Sequence, residues 1–254
     1  MTHQEYVQLV PGADTAVLFI HGIVGTPNHF VTQIPMVDLV TEEWSVYNVL
    51  LDGHGYGVDE FSATSMKAWK AQVWGVFEKL AAGHERVVIV AHSMGTLFAM
   101  QLALEHPEKI PFLFLIGVPM RPGIRPFGAV NSLRIAFGKV REDHPLEMAL
   151  YNDCGLTASP KLWKYIGWIP RLLELFKEIA LTEKKMRDLT VPCVAYQSHR
   201  DELVTNLTKG VLEKSGVMEV VELQKSTHCY YEPEEAQRLR DDFLRRCNEI
   251  KKKA

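Results

Sequence analysis

The sequence predicts an α/β fold: a mainly parallel sheet with helices on both faces. Two observations carry the prediction. Short, continuously apolar runs rich in β-branched residues alternate with longer segments whose apolar positions recur at helical spacing. The short runs also lack the in–out alternation of a one-sided sheet, as expected of strands covered on both faces. Size agrees: 254 residues, 47% of them hydrophobic, suffice for one large domain or for a core domain carrying an insertion.

The strands are read in order as TAVLFI (15–20), WSVYNVL (44–50), RVVIVA (86–91), FLFLI (112–116), PCVAYQ (192–197) and MEVVEL (218–223). A helix over 65–83 spaces Trp69, Val73, Val76, Phe77 and Leu80 along one face and stops at Gly83. A second runs over 94–109 and ends near Pro107; further helices are expected over 202–216 and 232–250, the last with acids in its first turn. Between Gly117 and about Leu189 the rhythm breaks. No strand is evident there, the stretch opens with GVPMRPGIRPFG, and helical segments follow, including 161–180. It is too long for a connecting loop, so residues 117–189 read as a helical insertion in a core formed by 1–116 and 190–254.

Composition narrows the function classes. A formal net charge of −3 offers no bulk field for nucleic acid or an anionic membrane. The basic end of the chain reads as a solvated helix terminus whose cations complement the helix dipole. The first fourteen residues lack a basic n-region and an apolar h-region, so no signal peptide is expected. The longest uncharged apolar run, 110–120, is too short to span a bilayer, and no stable membrane insertion is expected. Cys154, Cys193, Cys229 and Cys247 form no CxxC pair, which favours reduced thiols in a cytoplasmic protein. With no HExxH, Walker or GxGxxG motif and no Cys/His ligand cluster, no metal or nucleotide cofactor is expected. Nothing in the sequence specifies an oligomeric state.

One stretch carries chemistry. In IVAHSMGT (89–96) a serine, Ser93, falls where a strand meets a helix, at the carboxyl edge of the sheet where open α/β folds bind ligands. Ala91 and Gly95 supply the small residues that such a tight turn demands on either side of a nucleophile. The helix starting at Met94 directs its positive end at the serine. A serine hydroxyl needs a base, normally a histidine oriented by a carboxylate. Asp201 in SHRDELV and His228 in KSTHCYYEPEE each follow a predicted strand, so both emerge at the same edge as Ser93, in the order Ser, Asp, His. Glu202 competes with Asp201 for the orienting role. The loop HGIVGTPNHF (21–30) follows the first of these strands, and the backbone N–H groups of Ile23 and Met94 are the expected oxyanion donors.

The segments HGIVGTP (21–27), DGHG (52–55), AHSMG (91–95), HRDELV (199–204) and STH (226–228) make the chain resemble the α/β-hydrolase superfamily, and within it the small carboxylesterase and monoacylglycerol-lipase-like serine hydrolases. The resemblance spans nearly the whole chain. It implies the α/β-hydrolase fold with a helical cap inserted before the last two strands, ester hydrolysis through an acyl-serine, a small-molecule ester substrate and no cofactor. It favours Asp201 over Glu202. Two positions depart from the common pattern: Ala91 stands where a glycine is usual, and Thr96 where many relatives carry a second glycine. The same triad also serves peptidases, amidases, thioesterases and acyltransferases, and a non-catalytic binding protein can keep the fold.

The other histidines read as structural. His54 is expected to support its own turn, His21 to bond nearby backbone, and His92 to turn its ring away from the serine. Cys229 is expected to be buried as a small hydrophobe. Of the aromatic residues Tyr151, Trp163, Tyr165 and Trp168, most should pack the insertion, with one or two lining an apolar acyl pocket.

Overall fold

A computed structural model describes residues 3–137, 139–154 and 157–252. Met1, Thr2 and Lys253, on which the leader and chain-end readings partly rest, lie outside the described residues. Seven strands form one sheet: β1 (Tyr6–Gln8), β2 (Thr15–Ile20), β3 (Ser45–Val49), β4 (Arg86–His92), β5 (Leu113–Ile116), β6 (Cys193–Ser198) and β7 (Met218–Leu223), in the order β1-β3-β2-β4-β5-β6-β7. All neighbouring pairs are parallel except β1 with β3. β1 was not expected: it is three residues long and exposed, so no buried apolar run announces it.

Alternate residues of the central strands feed two separate cores, as the period of a strand dictates. Ala16, Leu18 and Ile20 of β2 join one, with the helices α2 (Met66–Gly83) and α3 (Met94–Glu105). Val17 and Phe19 join the other, beneath α8 (Pro233–Lys252), which contributes Leu239, Phe243 and Cys247. α3 is buried on nearly every side, from Met94 through Ala103, which explains its apolar composition all round.

The predicted helix over 202–216 shortens to α7 (Leu207–Leu212). The reason is local. Asp201 Oδ1 accepts the N–H groups of Leu203 and Val204, both at 2.8 Å, and holds the preceding residues in a turn.

Between β5 and β6 stand α4 (Pro126–Ala136), α5 (Pro145–Asp153), a 3-10 stretch (Leu162–Trp168) and α6 (Ile169–Lys185). The single helix expected over 161–180 is therefore two elements, divided beside Gly167 and restarted with Pro170 in the first turn of α6. α6 inserts Leu175 and Ile179 into the core shared with α3. Preceding α2 is the short α1 (Val58–Ala63). No helix among the described residues is long and apolar enough to cross a membrane.

Candidate active site

Ser93 sits between β4 and α3 with φ 50° and ψ −123°, one of two non-glycine residues at positive φ among those described. Such a backbone is strained and persists only where its surroundings enforce it. Ser93 N–H donates to Ile116 O at 2.9 Å, and the Thr96 hydroxyl donates to Ser93 O at 2.6 Å. Thr96 thus braces the turn from the position where a glycine was the commoner expectation. Gly95 meets the predicted steric need closely: a Cβ there would stand 2.4 Å from Ile20 O and 2.7 Å from His21 O.

The structure brings Ser93, His228 and Asp201 into one hydrogen-bonded line. His228 Nε2 lies 3.0 Å from Ser93 Oγ, and His228 Nδ1 lies 2.7 Å from Asp201 Oδ2. With Nδ1 donating to the carboxylate, Nε2 is left to accept from the serine hydroxyl. All three side chains are buried. Burial works against an imidazolium here, but the charge and hydrogen bond of Asp201, helped by Glu202 and Asp153, raise the His228 pKa to about 9. Glu202 takes a different position: its Oε2 accepts the backbone N–H of His228 at 2.9 Å and does not meet the ring.

Met94 is the first residue of α3, so its N–H has no acceptor within the helix. Ile23 borders the same cavity as Ser93. The loop carrying it runs against the serine at Gly22, where a Cβ would come 2.7 Å from Ser93 Cβ. The next residue, Val24, has φ 63°, costly for a β-branched side chain. His54 explains how it is held. The Val24 N–H donates to His54 Nε2 at 3.2 Å, while His54 Nδ1 faces Asp52 O at 3.3 Å. His54 therefore supports its own turn, as expected, and also the loop of Ile23. His21 accepts Leu51 N–H on Nε2 and donates from Nδ1 to Gly22 O. Burial keeps both rings neutral, pushing His21 down to about 4 and His54 well below the usual range.

His92 reaches His228 O through Nε2 at 3.1 Å, and its ring stacks on that of His29, with centroids 3.7 Å apart. His29 in turn meets Asp153, the last residue of α5: Nδ1 and Oδ1 are 2.7 Å apart. The Cys229 thiol donates to Asp153 Oδ2 at 3.3 Å. Sequence reasoning missed His29 and Asp153; no local pattern distinguishes either from an ordinary loop or helix-end residue. The ligand atoms of His29, His92 and Asp153 lie within 4.8 Å of one another. The two imidazole planes, however, differ by only 16° in the stack. A ring nitrogen directs its lone pair in the ring plane, so stacked rings do not converge on a shared ion.

Ser93 and His228 open on a cavity of about 490 Å³. Its walls are largely apolar, with Ile23, Val58, Leu133, Leu150, Tyr165 and Trp168 prominent, and Asp153 and Cys229 lie at its polar end. Of the four aromatic residues singled out between β5 and β6, Tyr165 and Trp168 face this space, whereas Tyr151 and Trp163 are 51% and 66% exposed.

Comparison with known proteins agrees with this architecture. The family model described as the alpha/beta hydrolase fold matches residues 15–148. Over 159 residues the chain is 28% identical to a dihydrolipoyllysine-residue acetyltransferase component of the acetoin cleaving system of Cupriavidus necator, a match covering 62% of this chain and 40% of that protein. The chain thus spans about two fifths of that relative's length. Among solved structures, one reported with the metagenome-derived lipolytic enzymes LipS and LipT superposes with a TM-score of 0.72 at 18% identity, over 96% of this chain and 98% of the other. The monoacylglycerol lipase of Paleococcus ferrophilus superposes with a TM-score of 0.68 at 15% identity, over 96% and 97%.

Proposed function

The chain belongs to the alpha/beta hydrolase family, and from that premise we propose that it hydrolyses carboxylic esters by a serine mechanism. The carrying observation is the line from Ser93 Oγ through His228 to Asp201 at the polar end of an apolar cavity. Ser93 attacks the ester carbonyl while its proton passes to His228 Nε2. The tetrahedral oxyanion is held by the N–H groups of Ile23 and Met94, and its collapse sends the proton to the departing alcohol. Water repeats the cycle on the acyl-serine and releases the acid. Asp201 holds the imidazole in the required tautomer throughout.

The acyl part of a short or medium ester, or of a monoglyceride, would lie along the apolar wall. In this reading residues 117–189 cap the site, and the part up to Leu172 supplies the cavity-facing side chains, from α4, α5, the 3-10 stretch and the first turn of α6. A fluorophosphonate that labels an activated serine tests the reading directly. Labelling of the native protein and none of Ser93→Ala is the expected result; an unreactive native protein would favour a ligand-binding role on the same fold. Turnover of p-nitrophenyl esters, monoglycerides, acyl-CoA and peptide anilides then separates ester hydrolysis from thioester, amide and transfer chemistry.

A further inference from the structure

Asp153 is a carboxylate 4% exposed, carried by the last residue of α5 and buried among groups that belong to the reacting loops. Burying a charge is expensive unless it is paired and hydrogen-bonded. Among the described residues, the side-chain partners of Asp153 both lie across the boundary between the insertion and the core. Oδ1 takes His29 Nδ1 at 2.7 Å, and Oδ2 takes the Cys229 thiol at 3.3 Å. Each partner leads to the reacting residues. Cys229 is bonded in sequence to His228. His29 stacks on His92, which precedes Ser93 and donates to His228 O at 3.1 Å. One carboxylate thus touches two short paths, and both end on the loop of His228.

We propose that Asp153 is a positioning residue that couples seating of the insertion over the cavity to the alignment of His228 on Ser93. The inference rests on the serine-hydrolase reading above. Withdrawal of α5 from the core would leave His29 and the Cys229 thiol without their acceptor, loosening the residue that follows His228 and the ring stack behind His92, while Glu202 keeps the His228 N–H and Tyr231 its carbonyl. Small losses of alignment at a base are expensive, since a displacement of about 1 Å can cost about a hundredfold in rate. Asp153 also bears on the charge of the base. The groups facing His228 are Asp201 and Glu202 from the loop after β6, Asp153 from α5, His92 at the end of β4, the neighbouring Cys229, and Tyr231, whose hydroxyl donates to His228 O at 3.1 Å. Of these the three carboxylates favour its protonated form.

The test compares Asp153→Ala, Asp153→Asn and Glu147→Gln in the full chain, with kcat and KM for a small acetate ester across pH and a thermal melt for each. Glu147 is buried in the same helix, but it pairs with Arg141 and Arg134, away from the cavity. Asp153→Ala should lose about ten- to hundredfold in kcat, with KM within about threefold. Asp153→Asn keeps an acceptor of the same shape. It should recover most of kcat on the pH plateau, with the acid limb moved measurably down, because one negative neighbour of the imidazolium is gone. Glu147→Gln should lower the melting temperature and leave both kcat and limb in place. A folded Asp153→Ala with native kcat and limb overturns the proposal, as does an equal kcat loss in Glu147→Gln. If Asp153→Ala does not fold, Asp153→Asn decides: an unmoved acid limb overturns the proposal. Ser93→Ala is assayed in parallel. Full activity there rejects the hydrolase reading itself, whereas an inactive Ser93→Ala beside a native-like Asp153→Ala rejects only the role of Asp153.

Discussion

Glu202 accepts the backbone N–H of His228 at 2.9 Å, while its neighbour Asp201 holds the ring of the same histidine at 2.7 Å. Two adjacent carboxylates therefore address one residue in different ways. Asp201→Asn should reduce kcat by about three to four orders of magnitude, because the amide favours the wrong imidazole tautomer. Glu202→Gln retains an acceptor for the N–H and should cost less than about tenfold. Ser93→Ala should remove about 10⁵-fold or more of the activity with the fold intact. Steady-state kinetics on the three purified variants check the ranking; a severe Glu202→Gln beside a mild Asp201→Asn would reverse the assignment.

The pH profile follows from the same pair. His228 must be neutral to accept a proton, and its pKa is raised to about 9 against a usual 6.5. kcat/KM should therefore rise with pH through an ionisation above about 7, and Asp201→Asn should bring that ionisation down. Stability carries the opposite sign. A histidine whose folded pKa is raised contributes stability fully present below pH 6.5, which fades as pH rises toward 9. The melting-temperature difference between native protein and His228→Gln should accordingly shrink across that window.

Backbone crowding around Ser93 gives a stability test. A methyl at Gly95 would meet two carbonyl oxygens at 2.4 and 2.7 Å, neither on a flexible side chain. Gly95→Ala should cost about 3 kcal/mol or prevent folding. At Gly22 the added carbon would press on Ser93 itself, 2.7 Å from its Cβ. Gly22→Ala should therefore reduce kcat more than it reduces the melting temperature. Denaturant midpoints and kinetics on both variants separate the two effects.

Two tryptophans between β5 and β6 make a matched pair. Trp168 borders the cavity and packs on Phe61 and Tyr165, with ring centroids 5.0 and 4.8 Å away. Trp163 is mostly exposed. Trp168→Ala should shift preference toward longer or bulkier acyl chains by enlarging the apolar wall, with little change toward an acetate ester. Trp163→Ala should leave the profile as it is. A chain-length series on both variants, with melting temperatures alongside, checks the contrast.

Much of this molecule was determined locally, and the sequence by itself was enough for that part. Apolar runs of strand length and the order Ser93, Asp201, His228 fix a parallel sheet whose carboxyl edge gathers three distant residues. Gly95 announces a turn with no room for a side chain. These features are readable because strand period, turn sterics and chain order are properties of neighbouring residues.

Other features were settled only by packing. Asp201 and Glu202 are adjacent and chemically alike; which of them meets the imidazole depends on a turn in which Asp201 also accepts Leu203 and Val204 N–H groups. Tyr165 faces the cavity while Tyr151 faces solvent, although both lie in short helical segments between β5 and β6. The pairing of His29 with Asp153 joins residues 124 positions apart. No pattern within either segment specifies such a contact. It forms because α5 seats its end over the stacked rings of His29 and His92, where a buried carboxylate must find donors and two are within reach.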